Sequence, residues 1–216
     1  MKKLFCAMLA ALLILSLAAC DALMPAKQLE GTWKTKTEES REYTLALLEN
    51  FDFYEEEIAL IQTPLYTVKY LTFNQNKTYS YATNAEEEKA CAREFITGLL
   101  NDLYENRDSL SACYEFDMSS LSKEDFQQFY ADLYEAENLD GLVDLWLEAA
   151  NPVIGEYETG KFQITPGKIH MTVTDDEEGN GFVSYTLENG TLTLTYADSV
   201  EVYTKINTEA SQSQNI

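Results

Sequence analysis

Two hydrophobic periods divide this chain. Near both ends of its body apolar and polar residues alternate, the pattern of a half-buried strand; between them apolar residues recur every three or four positions, the pattern of a helix. Gly31-Thr32-Trp33-Lys34-Thr35-Lys36-Thr37 alternates and predicts a first strand. Tyr43, Leu47, Phe51, Tyr54, Ile58 and Ile61 then make one helical stripe that ends before Pro64. Thr67 to Phe73 and Lys77 to Thr83 are β-type runs joined by the turn-prone Asn74-Gln75-Asn76, which predicts a hairpin.

From Asn84 to about Asn151 the pattern is helical and acidic. Asn84 with Glu87 resembles a capping box, and Ala92, Ile96, Leu99, Leu100 and Leu103 follow on one face. Ser122 with Asp125 offers a second start, ahead of Phe126, Phe129, Tyr130, Leu133 and Tyr134. A third helix runs from Asp140 through Leu142, Leu145, Trp146 and Ala149 and stops at Asn151-Pro152. Each segment is apolar on one side only, so it must pack against something. Two arrangements meet that need: a three-helix unit, or a cap over the mouth of the β part. The cap is the expectation taken here.

Alternation returns at Gly155. Phe162 and Ile164 precede Thr165-Pro166-Gly167-Lys168, with Pro and Gly where a type II turn wants them. Ile169, Met171 and Val173 face one way and His170, Thr172 and Thr174 the other. Val183, Tyr185 and Leu187 lead to Asn189-Gly190, a strong two-residue hairpin signal, and on to Leu192, Leu194 and Tyr196. Val200, Val202, Thr204 and Ile206 complete a last strand. The expected fold class is therefore α+β: a small antiparallel meander barrel of about eight strands, closed to remove its edges. A helical insertion, residues 84–151, lies between the third and fourth strands. The polar tail, residues 207–216, is expected to be disordered.

The N-terminal segment changes the picture by giving an address. Lys2 and Lys3 precede an apolar run from Leu4 to Leu17, and Leu17-Ala18-Ala19-Cys20 closes it. This is the layout of a secretory signal, too short to cross a bilayer that needs ~20 residues. The closing tetrapeptide resembles the lipobox of bacterial lipoproteins. The resemblance implies that residues 1–19 are removed as a signal peptide and that Cys20 carries the lipid. Two acyl chains suffice for stable attachment, so the expected location is the extracytoplasmic face of the cell membrane. Residues 20–28 form a short tether, and 29–206 form the folded domain. By the same resemblance Asp21 favours inner-membrane retention in a double-membrane bacterium and carries no such meaning in a single-membrane one.

The net charge is −22, and loss of residues 1–19 removes two lysines and no acid, which leaves −24. So acidic a body repels nucleic acid, and none is expected as a partner; the bland role of these acids is to keep an exported protein soluble. Of four cysteines, Cys6 leaves with the signal and Cys20 takes the lipid. Cys91 and Cys113 remain; outside the cytoplasm they can bridge or stay free, and both alternatives stand.

The strand motifs carry a further likeness. Leu29-Glu30-Gly31-Thr32-Trp33-Lys34, Leu71-Thr72-Phe73-Asn74 with Lys77-Thr78-Tyr79, the run from Tyr185 to Leu194, and Tyr203-Thr204-Lys205-Ile206 resemble the uncharacterised lipocalin-like lipoproteins of Firmicutes. The resemblance covers the β segments, about half of the mature chain. It implies a barrel whose base is closed by the Trp of Gly-x-Trp, Trp33 here, under a basic side chain of the last strand, Lys205 here where lipocalins usually carry Arg. It implies apolar-ligand binding and no catalytic chemistry. Trp33 is then either a core residue or a wall of a ligand pocket.

Other chemistry is thin. His170, the single histidine, falls on the polar phase of its strand with no nucleophile beside it, so it is expected to face solvent. Asp176, Glu178, Asn180 and Gly181 imitate the opening of a calcium loop, but Leu187 stands where the twelfth-position Glu belongs, so a plain acidic loop is expected and no metal. Glu55-Glu56-Glu57 and Glu86-Glu87-Glu88 read as charge runs, the second suited to a helix N-terminus. The 14 tyrosines suit sugar stacking but are explained by packing. No cofactor is expected. The sequence thus supports a non-catalytic binding module for a small apolar ligand or a protein partner. The alternative is a structural or interaction protein of the envelope with a filled barrel.

Overall fold

In the computed structural model, which describes residues 26–114, 116–174 and 181–206, the alternating segments become eight strands. They are β1 Gly31–Glu38, β2 Tyr66–Phe73, β3 Thr78–Thr83, β4 Gly155–Thr165, β5 Lys168–Val173, β6 Gly181–Glu188, β7 Thr191–Thr195 and β8 Val200–Lys205. They close in chain order into an antiparallel meander barrel, with β8 returning to β1 so that Trp33 faces Lys205. The turns do what their residues allow. Asn189 and Gly190 both take positive φ, 51° and 78°, as a type I′ hairpin requires. Gly167 follows Pro166 at φ 73°, the position where only a residue tolerant of left-handed backbone fits.

The chain divides into two compact units. The barrel unit holds the described residues up to Thr35, Tyr70–Ala82 and those from Glu156 onward. Its core is built from inward positions: Trp33, Leu71, Phe73, Tyr79, Phe162, Ile169, Met171, Val183, Leu192, Leu194 and Tyr203 are all buried. On β8 the inward phase belongs to Tyr203 and not to the valines. Val200 and Val202 face outward, 60% and 53% exposed, because the register places Tyr203 opposite Leu192 and Val202 opposite Thr193. The Val-x-Val alternation is thus the outer face of the last strand.

The helical unit, Lys36–Lys69 with Thr83–Gly155, holds α1 Arg41–Asn50, α2 Glu55–Leu60, α3 Ala85–Glu105, α4 Arg107–Leu110, α5 Lys123–Leu133 and α6 Leu139–Ala150. Caps set the starts. Asn84 accepts from the N–H groups of Glu86 and Glu87, and Ser122 accepts from that of Asp125. Asn138 accepts from Asp140 and Gly141, so α6 begins one residue ahead of the expected Asp140. The buried faces of α3, α5 and α6 share one apolar cluster with Leu47, Leu48 and Phe53 from the β1–β2 connection.

That connection departs from its sequence pattern. The stripe from Tyr43 to Ile61 predicts one helix, and the structure has two, α1 and α2. Asp52 adopts φ 58°, and the Phe53 N–H reaches back to Leu48 O at 3.3 Å, a left-handed stop of Schellman type. The reason lies in the two phenylalanines. In a continuous helix Phe51 and Phe53 would point about 200° apart. Broken at Asp52, the chain turns both into the core: Phe51 sits 5.5 Å from Trp146 and Phe53 5.7 Å from Tyr134, ring centre to ring centre.

Candidate functional site

The base of the barrel is built around Trp33. β1 aims its ring inward, and the indole N–H donates to Leu29 O at 2.7 Å from the helical turn at residues 26–29. Lys205, its cross-strand partner, lays its ammonium 5.0 Å from the ring centre and donates to Gln28 O at 2.9 Å. One side chain therefore makes a cation–π contact and ties the entering chain to the leaving one. Gly31 makes room for it. A Cβ there would sit 3.3 Å from Lys205 Cε, on a backbone at φ 111° that other residues rarely adopt.

Above the base, the inward positions carry phenols as well as hydrocarbon. Tyr79 donates to Glu158 Oε1 at 2.9 Å and Tyr203 to Glu201 Oε2 at 2.6 Å, while the hydroxyls of Tyr81 and Tyr196 meet at 2.9 Å. Burial first, then the neighbouring carboxylates and phenols, pushes Tyr79, Tyr81 and Tyr203 well above the usual tyrosine value. These phenols stay protonated at neutral pH, so they act as hydrogen-bond donors and not as bases. Packing is close: a Cβ added at Gly160 would overlap the Thr172 carbonyl oxygen and the Tyr79 ring. The interior is made of the protein's own side chains, knit by a satisfied polar network.

A second polar site lies in the helical unit. Glu57, in the first turn of α2, is completely buried. Its carboxylate accepts from the Tyr54 N–H at 2.9 Å, from the Tyr114 hydroxyl at 2.6 Å and from the Tyr130 hydroxyl. Burial foremost, with the adjoining carboxylate, raises both phenols. The sequence shows Glu57 as one of three consecutive glutamates; the fold separates it from the other two. The available signal was its place three residues after Tyr54, where a carboxylate closes a helix start.

The other residues read from the sequence are scattered. Cys91 is buried on α3 and Cys113 lies beyond α4; both are free thiols. Burial, the leading cause in each case, raises both thiols, which makes them poor nucleophiles. His170 is half-buried on β5 with its ring centre 4.6 Å from that of Phe182, its cross-strand partner. Among the described residues no group of His, Cys, Asp and Glu side chains could hold a metal ion. Cys20, the acidic loop at residues 175–180 and the tail from residue 207 lie outside the described residues.

Fold and interior together define the class: a closed eight-stranded antiparallel meander barrel with helices between its third and fourth strands. Comparison with protein-family models, with curated proteins and with solved structures gave no match.

Proposed function

We propose that this chain is a lipocalin-like extracytoplasmic lipoprotein, held to the cell membrane by acyl chains on Cys20, and that it works as a non-catalytic binding module for a protein partner. The observation that carries this reading is the occupied barrel interior. Trp33, Phe73, Tyr79 and Tyr203 fill the positions a small apolar ligand would take, and such a ligand would have to displace them. Eight strands can be packed solid or hold one small ligand; here the packed form favours recognition on the outside.

The outer face of β6–β8 suits that role. Phe182, Ser184, Thr186 and Glu188 run beside Thr195, Thr193 and Thr191, then Val200, Val202 and Thr204. Glu188, exposed opposite Thr191, is the one charged residue on this phase of the three strands, although the chain carries −22 overall, and Phe182 is 65% exposed. A partner can settle on such a face while stripping water from few carboxylates, Glu188 standing at its edge.

Two arms test the reading. In cells fed a labelled fatty acid, the wild-type protein should be labelled and sediment with membranes. Cys20→Ser should be unlabelled, and either soluble or unprocessed; a labelled, membrane-bound Cys20→Ser protein would sink the anchor. In the second arm an environment-sensitive apolar dye is titrated into purified protein. Weak, non-saturating response is expected, whereas a stoichiometric site emptied by added fatty acid would move the function to small-ligand binding.

A further inference from the structure

The barrel unit has one local reversal of the protein's charge. A cavity of about 480 Å³ opens beside the β2–β3 turn, lined by Ala26, Asn76, Lys77, Lys161 and Gln163 over the ring of Phe162. Its volume falls in the range of small-molecule sites. No carboxylate is among its described lining residues. The turn is fixed in place: Lys77 sits at φ 63°, and its carbonyl accepts from the Phe162 N–H at 3.0 Å, which keeps Lys77 beside Lys161. Neither lysine side chain has an ion-pair partner among the described residues. Asn76 Oδ1 is engaged by the Thr78 N–H and hydroxyl, which leaves its amide NH2 free to donate. Two lysines and an asparagine with a free amide donor thus line one hollow. That donor set takes an anion with several acceptor oxygens.

The hollow also lies at a definite end of the barrel. Because strands alternate in direction, the β2–β3, β4–β5 and β6–β7 turns share the end where β1 begins and β8 finishes. Among the described residues at or near that end are Lys27, Lys77, Lys161, Lys168 and Lys205, against Glu30 and Glu188. Ala26, in the wall of the cavity, stands six residues after Cys20, at most about 22 Å of extended chain. The most basic end of an acidic protein is therefore the end next to the tether.

From this we infer that the Lys77–Lys161 cavity binds the phosphate of an anionic lipid headgroup in the membrane that holds the tether, and so orients the barrel on the bilayer. The inference rests on Cys20 as the anchor for its setting. At physiological ionic strength charges are screened beyond ~8 Å, so the approaching end decides the interaction and the distant acids contribute little. A lysine near an anionic surface is worth about fivefold in partitioning. Tethering raises the local concentration of headgroups, so a weak site suffices.

The test uses the chain from residue 21 onward, which keeps every described residue and carries no acyl group, so its outcome is independent of the Cys20→Ser fractionation. It is sedimented with phosphatidylglycerol–phosphatidylcholine vesicles and with pure phosphatidylcholine vesicles. Binding should favour the anionic vesicles, and the Lys77→Glu/Lys161→Glu variant should lose on the order of tenfold or more in partitioning. The Lys89→Glu/Lys123→Glu variant, with the same net charge change placed in the helical unit, should bind like wild type. Equal loss in both variants would reduce the effect to net charge and overturn the site. Absence of any preference for anionic vesicles would overturn it as well. So would binding of soluble glycerol phosphate without vesicle binding, which would make the occupant a free solute.

Discussion

Replacing Trp33 with alanine is expected to destabilise the barrel unit by about 3–5 kcal/mol, the usual cost of removing a buried tryptophan. That is a large share of the 5–15 kcal/mol by which a domain is ordinarily folded. Three losses coincide: the packed ring, the hydrogen bond that satisfies Leu29 O, and the surface on which the Lys205 ammonium rests. Two milder variants separate them. Trp33→Phe keeps most of the ring but leaves a buried carbonyl unpaired, a cost of about 1–3 kcal/mol. Lys205→Met keeps much of the stem and loses the cation–π contact with the bond to Gln28 O, about 1–2 kcal/mol. Urea unfolding followed by near-ultraviolet circular dichroism reads all three. A Trp33→Ala cost below about 1 kcal/mol would show that the base does not depend on this ring.

Alkali should unfold the barrel steeply. Tyr81 and Tyr203 are buried, and their folded pKa values are raised above the ordinary tyrosine value by burial first and by neighbouring phenols and Glu201 after it. Below about pH 10 the phenols are protonated in both states and favour neither. Above it the unfolded chain releases these protons while the folded barrel keeps them, so folding stability falls as pH rises. Each phenol contributes about 1.4 kcal/mol per pH unit once the unfolded form is fully ionised, so the pair contributes about 3 kcal/mol per unit above roughly pH 11. Urea midpoints measured from neutral pH upward, with tyrosinate absorbance as a second probe, should show folding lost as hidden phenols ionise. Tyr203→Phe should lower the slope by about 1.4 kcal/mol per pH unit. A flat midpoint through this range would mean that these phenols already ionise in the folded barrel.

Much of the architecture was legible because it rests on short-range chemistry. Asn189-Gly190 and Pro166-Gly167 mark turns by backbone preference alone, and Asn84 and Ser122 mark helix starts by their side-chain acceptors. The split between α1 and α2 was not legible, since nothing in the spacing of Phe51 and Tyr54 reveals that Phe53 also needs the core. The outward turn of Val200 and Val202 was hidden for a related reason: both phases of β8 contain bulky residues, and only pairing with β7 and β1 selects the one carrying Tyr203. Glu57 disappeared into a run of like residues. Lys77 and Lys161 are 84 positions apart in the chain and meet only because Phe162 bonds the β2–β3 turn. Contacts of this kind belong to the closed barrel and not to any local pattern.

Closure of β8 on β1 also sets a timetable for synthesis. Trp33 is joined to the growing chain early, yet its cover, Lys205, is added 172 residues later. At 5–20 residues per second that interval is on the order of 10 to 30 s. The β5–β8 hairpins, by contrast, are neighbours in sequence and can form as soon as they are made. The first strand is therefore an apolar edge that waits, longest of all the strands, for the last one, and until it arrives this is where a chaperone would have the most to hold.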